Sequence, residues 1–244
     1  MNNIKMTIEF DGTNYCGWQS QPNGATVQDE IEKRINTITT EDIRIHSSGR
    51  TDAGVHAEHM VAIFHTEREI DTEKFKLSMN ALLPDDIVLL KVESVDMSFH
   101  SRKSAKRKVY EYHILNRQER SVFLNRYAWH VRKPLDVDRM IAASKLLLGE
   151  HDFAAFASVG GSVKTTVRTI HEINIVRGGD MIVITCTGSG FLKQMVRNIV
   201  GLLVQVGQGK FDVGFVTEVL KKMSKEKLYV TAPACGLFLK NVIY

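Results

Sequence analysis

Ile4, Met6, Ile8 and Phe10 alternate with Lys5, Thr7 and Glu9, the period-2 pattern of a half-buried strand. Asp11-Gly12-Thr13-Asn14 then reads as a turn. The period changes after Thr26, which with Asp29 and Glu30 marks a helix start. Val27, Ile31, Ile35 and Ile38 lay an apolar stripe along that helix. Strand-like segments follow at Ile43–Ser47 and Glu58–His65. A second helix carries Phe75, Met79, Leu82 and Leu83 up to Pro84, and Ile87–Val95 reads as another strand.

The same alternation recurs further along. Val109–Leu115 predicts a strand and Val137–Leu148 a helix closed by Gly149. Strands are expected at Arg168–Val176 and Met181–Thr187. The longest helical signal of the chain comes next, with Leu192, Met195, Val196, Ile199, Leu202, Leu203 and Val206 on one stripe. Phe215, Val219, Leu220 and Met223 predict one more helix, and Leu237–Val242 a closing strand. No low-complexity segment or linker interrupts the pattern. Periodicity alone therefore gives an α+β protein in two sheet-and-helix halves, 1–100 and 101–244.

Composition narrows the class. At 244 residues, 43% hydrophobic and 25% charged, the chain reads as an ordinary soluble globular protein. No apolar run is long enough to span a bilayer, and the N-terminus opens on a strand pattern without a signal segment. Cys16, Cys186 and Cys235 are odd in number and widely spaced, which suggests neither a disulfide framework nor a zinc site. A reduced, cytoplasmic protein is the expectation. The net charge of +4 hides an asymmetry. Residues 1–100 carry 9 Lys+Arg against 17 Asp+Glu, and the rest carry 23 against 11. A basic second half suits a polyanionic partner, because Lys and Arg neutralise phosphates and release counterions.

Candidate chemistry concentrates in Ser48-Gly49-Arg50-Thr51-Asp52-Ala53-Gly54-Val55-His56-Ala57. One carboxylate lies between two glycines, with an arginine two residues upstream. Glycines 49 and 54 give such a loop backbone freedom and let a substrate approach the main chain. A carboxylate there can serve as nucleophile, base, metal ligand or turn-former. A glycoside hydrolase would want a second carboxylate nearby, and only Glu58 lies just beyond the loop. His56 and His59, three apart, are a weak metal signal without further ligands at recognisable spacing.

The loop resembles the active-site motif of the TruA family of pseudouridine synthases, which modify transfer RNA. Glu9-Phe10-Asp11-Gly12-Thr13-Asn14-Tyr15-Cys16-Gly17-Trp18-Gln19 is similar to that family's N-terminal motif. Phe99-His100-Ser101-Arg102 with Tyr110-Glu111-Tyr112 resembles its central one. Further blocks are Gly149–Phe153, Phe191–Asn198 and Ala232–Leu237, in the family's order. Ser101 departs from the pattern, where the family has a small alanine, and Cys16 occupies a variable position.

The resemblance implies the pseudouridine synthase fold, with two related halves whose mixed, mainly antiparallel sheets join around a central cleft, helices outside. It implies isomerisation of uridine at positions 38, 39 and 40 of the tRNA anticodon stem-loop, by a homodimer that needs no cofactor or metal. Asp52 is then the nucleophile, Arg197 its partner, and Tyr110 the residue that stacks on the target base, with Tyr112 ranked second. Arg50 is placed at the RNA by the same resemblance, filling the space of a base turned out of its stack or holding the displaced phosphate. From the residues themselves, Arg102, Lys106 and Arg107 belong to the densest basic run and read as phosphate-facing. Lys193, four before Arg197, is expected on the same helix face.

Overall fold

The computed structural model describes residues 1–158, 164–221 and 228–244. It divides into two compact units, Met1–Lys106 with Phe238–Tyr244, and Arg107–Leu237. The boundary lies six residues beyond the expected one at residue 100, and there is a second difference. The last strand of the chain returns to the first unit.

In the first unit, β1 (Asn2–Phe10) alternates as its sequence requires, with Ile4, Met6 and Ile8 fully buried and Phe10 nearly so. Helix α1 (Val27–Thr39) starts where Thr26 predicts it. The Thr26 hydroxyl accepts the Asp29 N–H, and Asp29 and Glu30 lie in the positive first turn. Strand β2 is only His46–Ser47, shorter than the expected Ile43–Ser47. The reason is competition for backbone donors. Asn36 Oδ1 accepts the Ile43 N–H and Glu32 Oε1 the Ile45 N–H, both at 2.9 Å, so side chains of α1 take the bonds a sheet would use. β3 (His56–Thr66), α2 (Thr72–Leu82) and β4 (Ile87–Val95) follow the expected order. β1 lies between β3 and β4, antiparallel to both, and β2 pairs with β3.

In the second unit, β5 (Arg107–Leu115) pairs in parallel with the short β6 (Trp129–His130), which the sequence did not announce. Helix α3 covers Val137–Lys145 and not the expected stretch to Leu148. Past Lys145 the Leu147 and Leu148 amides bond three residues back, a tightened turn that ends the helix. Gly149, expected as the helix stop, instead opens β7 (Gly149–Asp152) at φ +94°. β8 (Val167–Gly178) joins β7 to β9 (Met181–Gly188), and β9 joins β5, all antiparallel.

Helix α4 (Met195–Gly207) is the core of this unit. Every residue in it is buried except Arg197. It begins three residues later than the apolar stripe suggests, because Gln194 adopts a left-handed conformation (φ 60°) and turns the chain there. α5 spans Phe215–Lys221; Met223, expected on the same helix, lies outside the described residues. β10 (Leu237–Ile243) closes the chain, parallel to β3 through Phe238 and His56.

Gly201 fixes how α4 meets the chain beside it. A Cβ there would lie 1.8 Å from the Val230 carbonyl oxygen. Helix propensity alone would make Gly201→Ala stabilising by about 1 kcal/mol. The backbone clash reverses the sign. Gly201→Ala should destabilise the protein by about 1–3 kcal/mol net, read from the denaturant midpoint; an unchanged or raised midpoint contradicts the close approach.

Candidate active site

Asp52 lies on the loop between β2 and β3, and backbone hydrogen bonds hold that loop at several points. The Ser48 N–H donates to the Val61 carbonyl at 2.7 Å as the loop leaves β2. The Val55 N–H donates to the Asp52 carbonyl at 3.1 Å, closing a turn in which Gly54 takes φ +75°. Of the two loop glycines, Gly54 is the one at positive φ.

The N-terminal motif supplies the other side. The Trp18 N–H donates to the Thr51 carbonyl at 3.2 Å, with the Trp18 ring buried against Phe10. A Cβ on Gly17 (φ +94°) would lie 2.6 Å from Thr51 O, and one on Gly12 only 2.0 Å from Val55 O. Two glycines thus let one backbone lie directly on the other. The Gly12 N–H lies 3.1 Å from Nδ1 of His56, which is buried and stacks on Phe238 at 4.7 Å. Within this frame Asp52 is half-buried and Arg50 exposed. A main chain fixed at Thr51, Asp52 and Val55 limits where the Asp52 carboxylate can go.

The histidines of this region have structural employment. His56 Nδ1 lies 3.0 Å from Asp11 Oδ1, and His59 Nδ1 is 2.9 Å from the Lys240 carbonyl. Glu58 pairs with Lys240 at 2.6 Å. Among the described residues no group of three His, Cys, Asp or Glu is placed to hold a metal ion.

The second unit carries the other candidates. Arg197 is the exception in an otherwise buried helix, and its guanidinium is aimed by the chain beside it. Its Nε donates to the Ala232 carbonyl at 2.8 Å, while the Ala232 N–H returns a bond to the Arg197 carbonyl at 3.1 Å. Residues 229–233 are fastened along α4 at further points. Gln205 Oε1 accepts the Val230 N–H and the Thr231 hydroxyl donates to Asn198 Oδ1, while Tyr229 donates off the helix to the Ala155 carbonyl. An arginine with its Nε engaged keeps a defined direction for the rest of its planar fork.

Tyr110 and Tyr112 share one face of β5, but their situations differ. Tyr110 meets Phe191 edge-on at 5.2 Å between centroids. Tyr112 is fully buried, donates to the Pro233 carbonyl at 2.7 Å, and lies against Gly236, where a Cβ would come within 2.7 Å of its ring. Burial pushes its hydroxyl pKa well up, so it stays a proton donor. Tyr112 is thus a structural tie for the 232–236 turn.

The basic candidates Arg102, Lys106, Arg107 and Lys193 are all exposed. Lys193 precedes α4 instead of sharing a helix face with Arg197, since the helix begins only at Met195. Phe191, Gly12 and Gly17 do not stand out from sequence as supports, although all three sit inside the family-like motif blocks.

A family model described as tRNA pseudouridine synthase matches residues 6–102 and 143–244. The chain belongs to the tRNA pseudouridine synthase family. A tRNA pseudouridine synthase A of Clostridium botulinum (strain Eklund 17B / Type B) is 48% identical over all of both chains. One from Thermoanaerobacter sp. (strain X514) is 43% identical, again over both full lengths. "tRNA pseudouridine synthase A 2" of Clostridium perfringens (strain 13 / Type A) is 46% identical over the same span. Relatives so named form an isomerase family, and the α+β architecture with mixed, mainly antiparallel strands is the pseudouridine synthase fold. Arg50, Asp52, Arg102, Lys193 and Arg197 lie inside the two family blocks, while Lys106, Arg107 and Tyr110 lie between them.

Tyr112→Phe keeps the ring but leaves the Pro233 carbonyl without its donor. It should cost about 1–2 kcal/mol of stability, measured by denaturant unfolding. A loss below a few tenths would show that the hydroxyl is not the tie.

Proposed function

We propose that this chain isomerises uridine to pseudouridine in tRNA, at positions 38, 39 and 40 of the anticodon stem-loop. The N1–C1′ bond breaks, the uracil turns, and a C5–C1′ bond forms. A proton leaves C5 and N1 gains one, so atoms and electrons balance within the substrate. Asp52 is the nucleophile, bonding covalently to the ribose at C1′ or to the base at C6 while the glycosidic bond is exchanged. Arg197 is the cationic partner of this carboxylate. Tyr110 stacks on the uracil, and either its hydroxyl or a water takes the proton from C5.

The target base must leave its stack before any of these groups reaches it, and Arg50 fills the space it vacates or holds the displaced phosphate. Arg102, Lys106, Arg107 and Lys193 bind the phosphate backbone, contributing affinity more than choice of base. The reading includes a homodimer acting on one tRNA and a cytoplasmic location; the three cysteines are free, which suits a reducing compartment.

The observation that carries this reading is the Asp52 loop itself, whose main chain is held by direct backbone contact with the Gly12–Trp18 segment. Such fixation suits a group that must meet a substrate atom within a fraction of an ångström. A glycosidase using Asp52 would need a second free carboxylate. The nearest in sequence, Glu58, is already paired with Lys240.

Pseudouridine mapping on unmodified tRNA transcripts tests the proposal. The native chain should form pseudouridine in the anticodon arm. Asp52→Ala should form none, with its tRNA affinity within about threefold of native. Tight binding by both proteins with no pseudouridine from either would leave only a binding protein. Pseudouridine made by Asp52→Ala would remove the nucleophile.

A further inference from the structure

Beside Arg102, the first unit holds an unassigned cluster of histidine and basic side chains. His46 begins β2, the strand that leads into the Asp52 loop. His100 sits on the turn after β4, and the two imidazoles lie 6.3 Å apart between centroids at an interplanar angle of 37°. We infer that His46 and His100, with Arg102 and Lys103, form an RNA phosphate subsite at the entry to the Asp52 loop. This rests on the reading of the substrate as RNA and adds residues to that surface.

The cluster is built, not incidental. Ser101 is fully buried, and its hydroxyl donates to the His46 carbonyl at 2.6 Å, tying the turn to β2. Tyr244 donates to the Ser101 carbonyl at 2.7 Å. Asn3 Nδ2 donates to the Asp96 and Phe99 carbonyls, both at 3.0 Å. The Ser104 N–H closes the turn on the His100 carbonyl at 2.9 Å, and the Ser104 hydroxyl accepts the His100 N–H.

The ring of His100 is fixed as well. The Arg102 N–H donates to its Nδ1 at 3.1 Å, which assigns the proton to Nε2 and makes that edge a donor. His100 is held below its ordinary imidazole pKa, first by burial and then by the charges of Lys103, His46 and Arg102. The charges acting most on it are thus cations. Like charges held together by a rigid turn favour an anion that can bond to several of them. A phosphodiester supplies acceptor oxygens for two imidazole edges and the flanking cations at charge-assisted distances of about 2.8 Å.

The test measures tRNA affinity and KM with unmodified transcript, for the full-length protein and its variants. His46→Ala and His100→Gln should each weaken binding three- to tenfold, with KM rising in step with Kd. Arg102→Ala combined with Lys103→Ala should reduce the slope of log K against log salt by about 0.7–0.9 for each phosphate no longer neutralised. His46 is exposed, so His46→Ala keeps the test decisive if His100→Gln fails to fold. Native affinity in His46→Ala, together with an unchanged salt slope in the double variant, would overturn the subsite. Weakened binding by these variants of a native chain that makes no pseudouridine would support the subsite and defeat the proposed reaction. Pseudouridine formation with unaltered binding in every variant would do the reverse.

Discussion

The first unit depends on one close approach, that of the Gly12–Trp18 backbone to the Thr51–Val55 backbone. Any side chain at Gly12 would enter the Val55 carbonyl, and any at Gly17 would meet Thr51 while straining a positive φ. Only glycine permits this contact. The buried Trp18 and His56, and the return of β10 beside β3, surround the contact and keep it from opening. A half-buried carboxylate on a main chain so confined has its reach limited before any substrate arrives, which is the physical meaning of preorganisation in the proposed reaction.

The second unit uses the same device in another form. α4 is apolar on nearly all sides, and Gly201 again lets a backbone, that of Val230, press against it. Asn198 and Gln205 bond to that segment from inside the unit, and Arg197 bonds to it from the one place on the helix that is not buried. Burying Asn198 and Gln205 would be costly without partners, so these polar residues specify which segment covers the helix. The price of that specificity is a helix that could not stand alone in water.

Much of this was legible in the sequence. Strict alternation in Ile4–Phe10 and the Thr26 cap each point to one local solution, and the structure takes it. The misses have physical causes. Ile43 and Ile45 look like a strand, but Glu32 and Asn36, distant in sequence, capture their amides. The apolar stripe from Leu192 could not reveal that Gln194 turns left-handed and delays the helix. Tyr112 matched Tyr110 in strand phase, and its bond to the Pro233 carbonyl and its packing on Gly236 needed three dimensions to be seen. The motif blocks pointed to Asp52 and Arg197, whereas the reason for Gly12 and Gly17 needed three dimensions.

The central claim is that the proposed nucleophile works because glycine lets the N-terminal segment lie directly on its loop. The most direct measurement is the single-turnover rate of pseudouridine formation by Gly17→Ala on saturating unmodified tRNA, with tRNA affinity measured alongside. Displacing the Thr51–Asp52 backbone by a fraction of an ångström should lower the rate about hundredfold while affinity stays within a few-fold of native. A native rate in Gly17→Ala would contradict the account, because the carboxylate would then not need the contact that the rest of the unit is built to preserve.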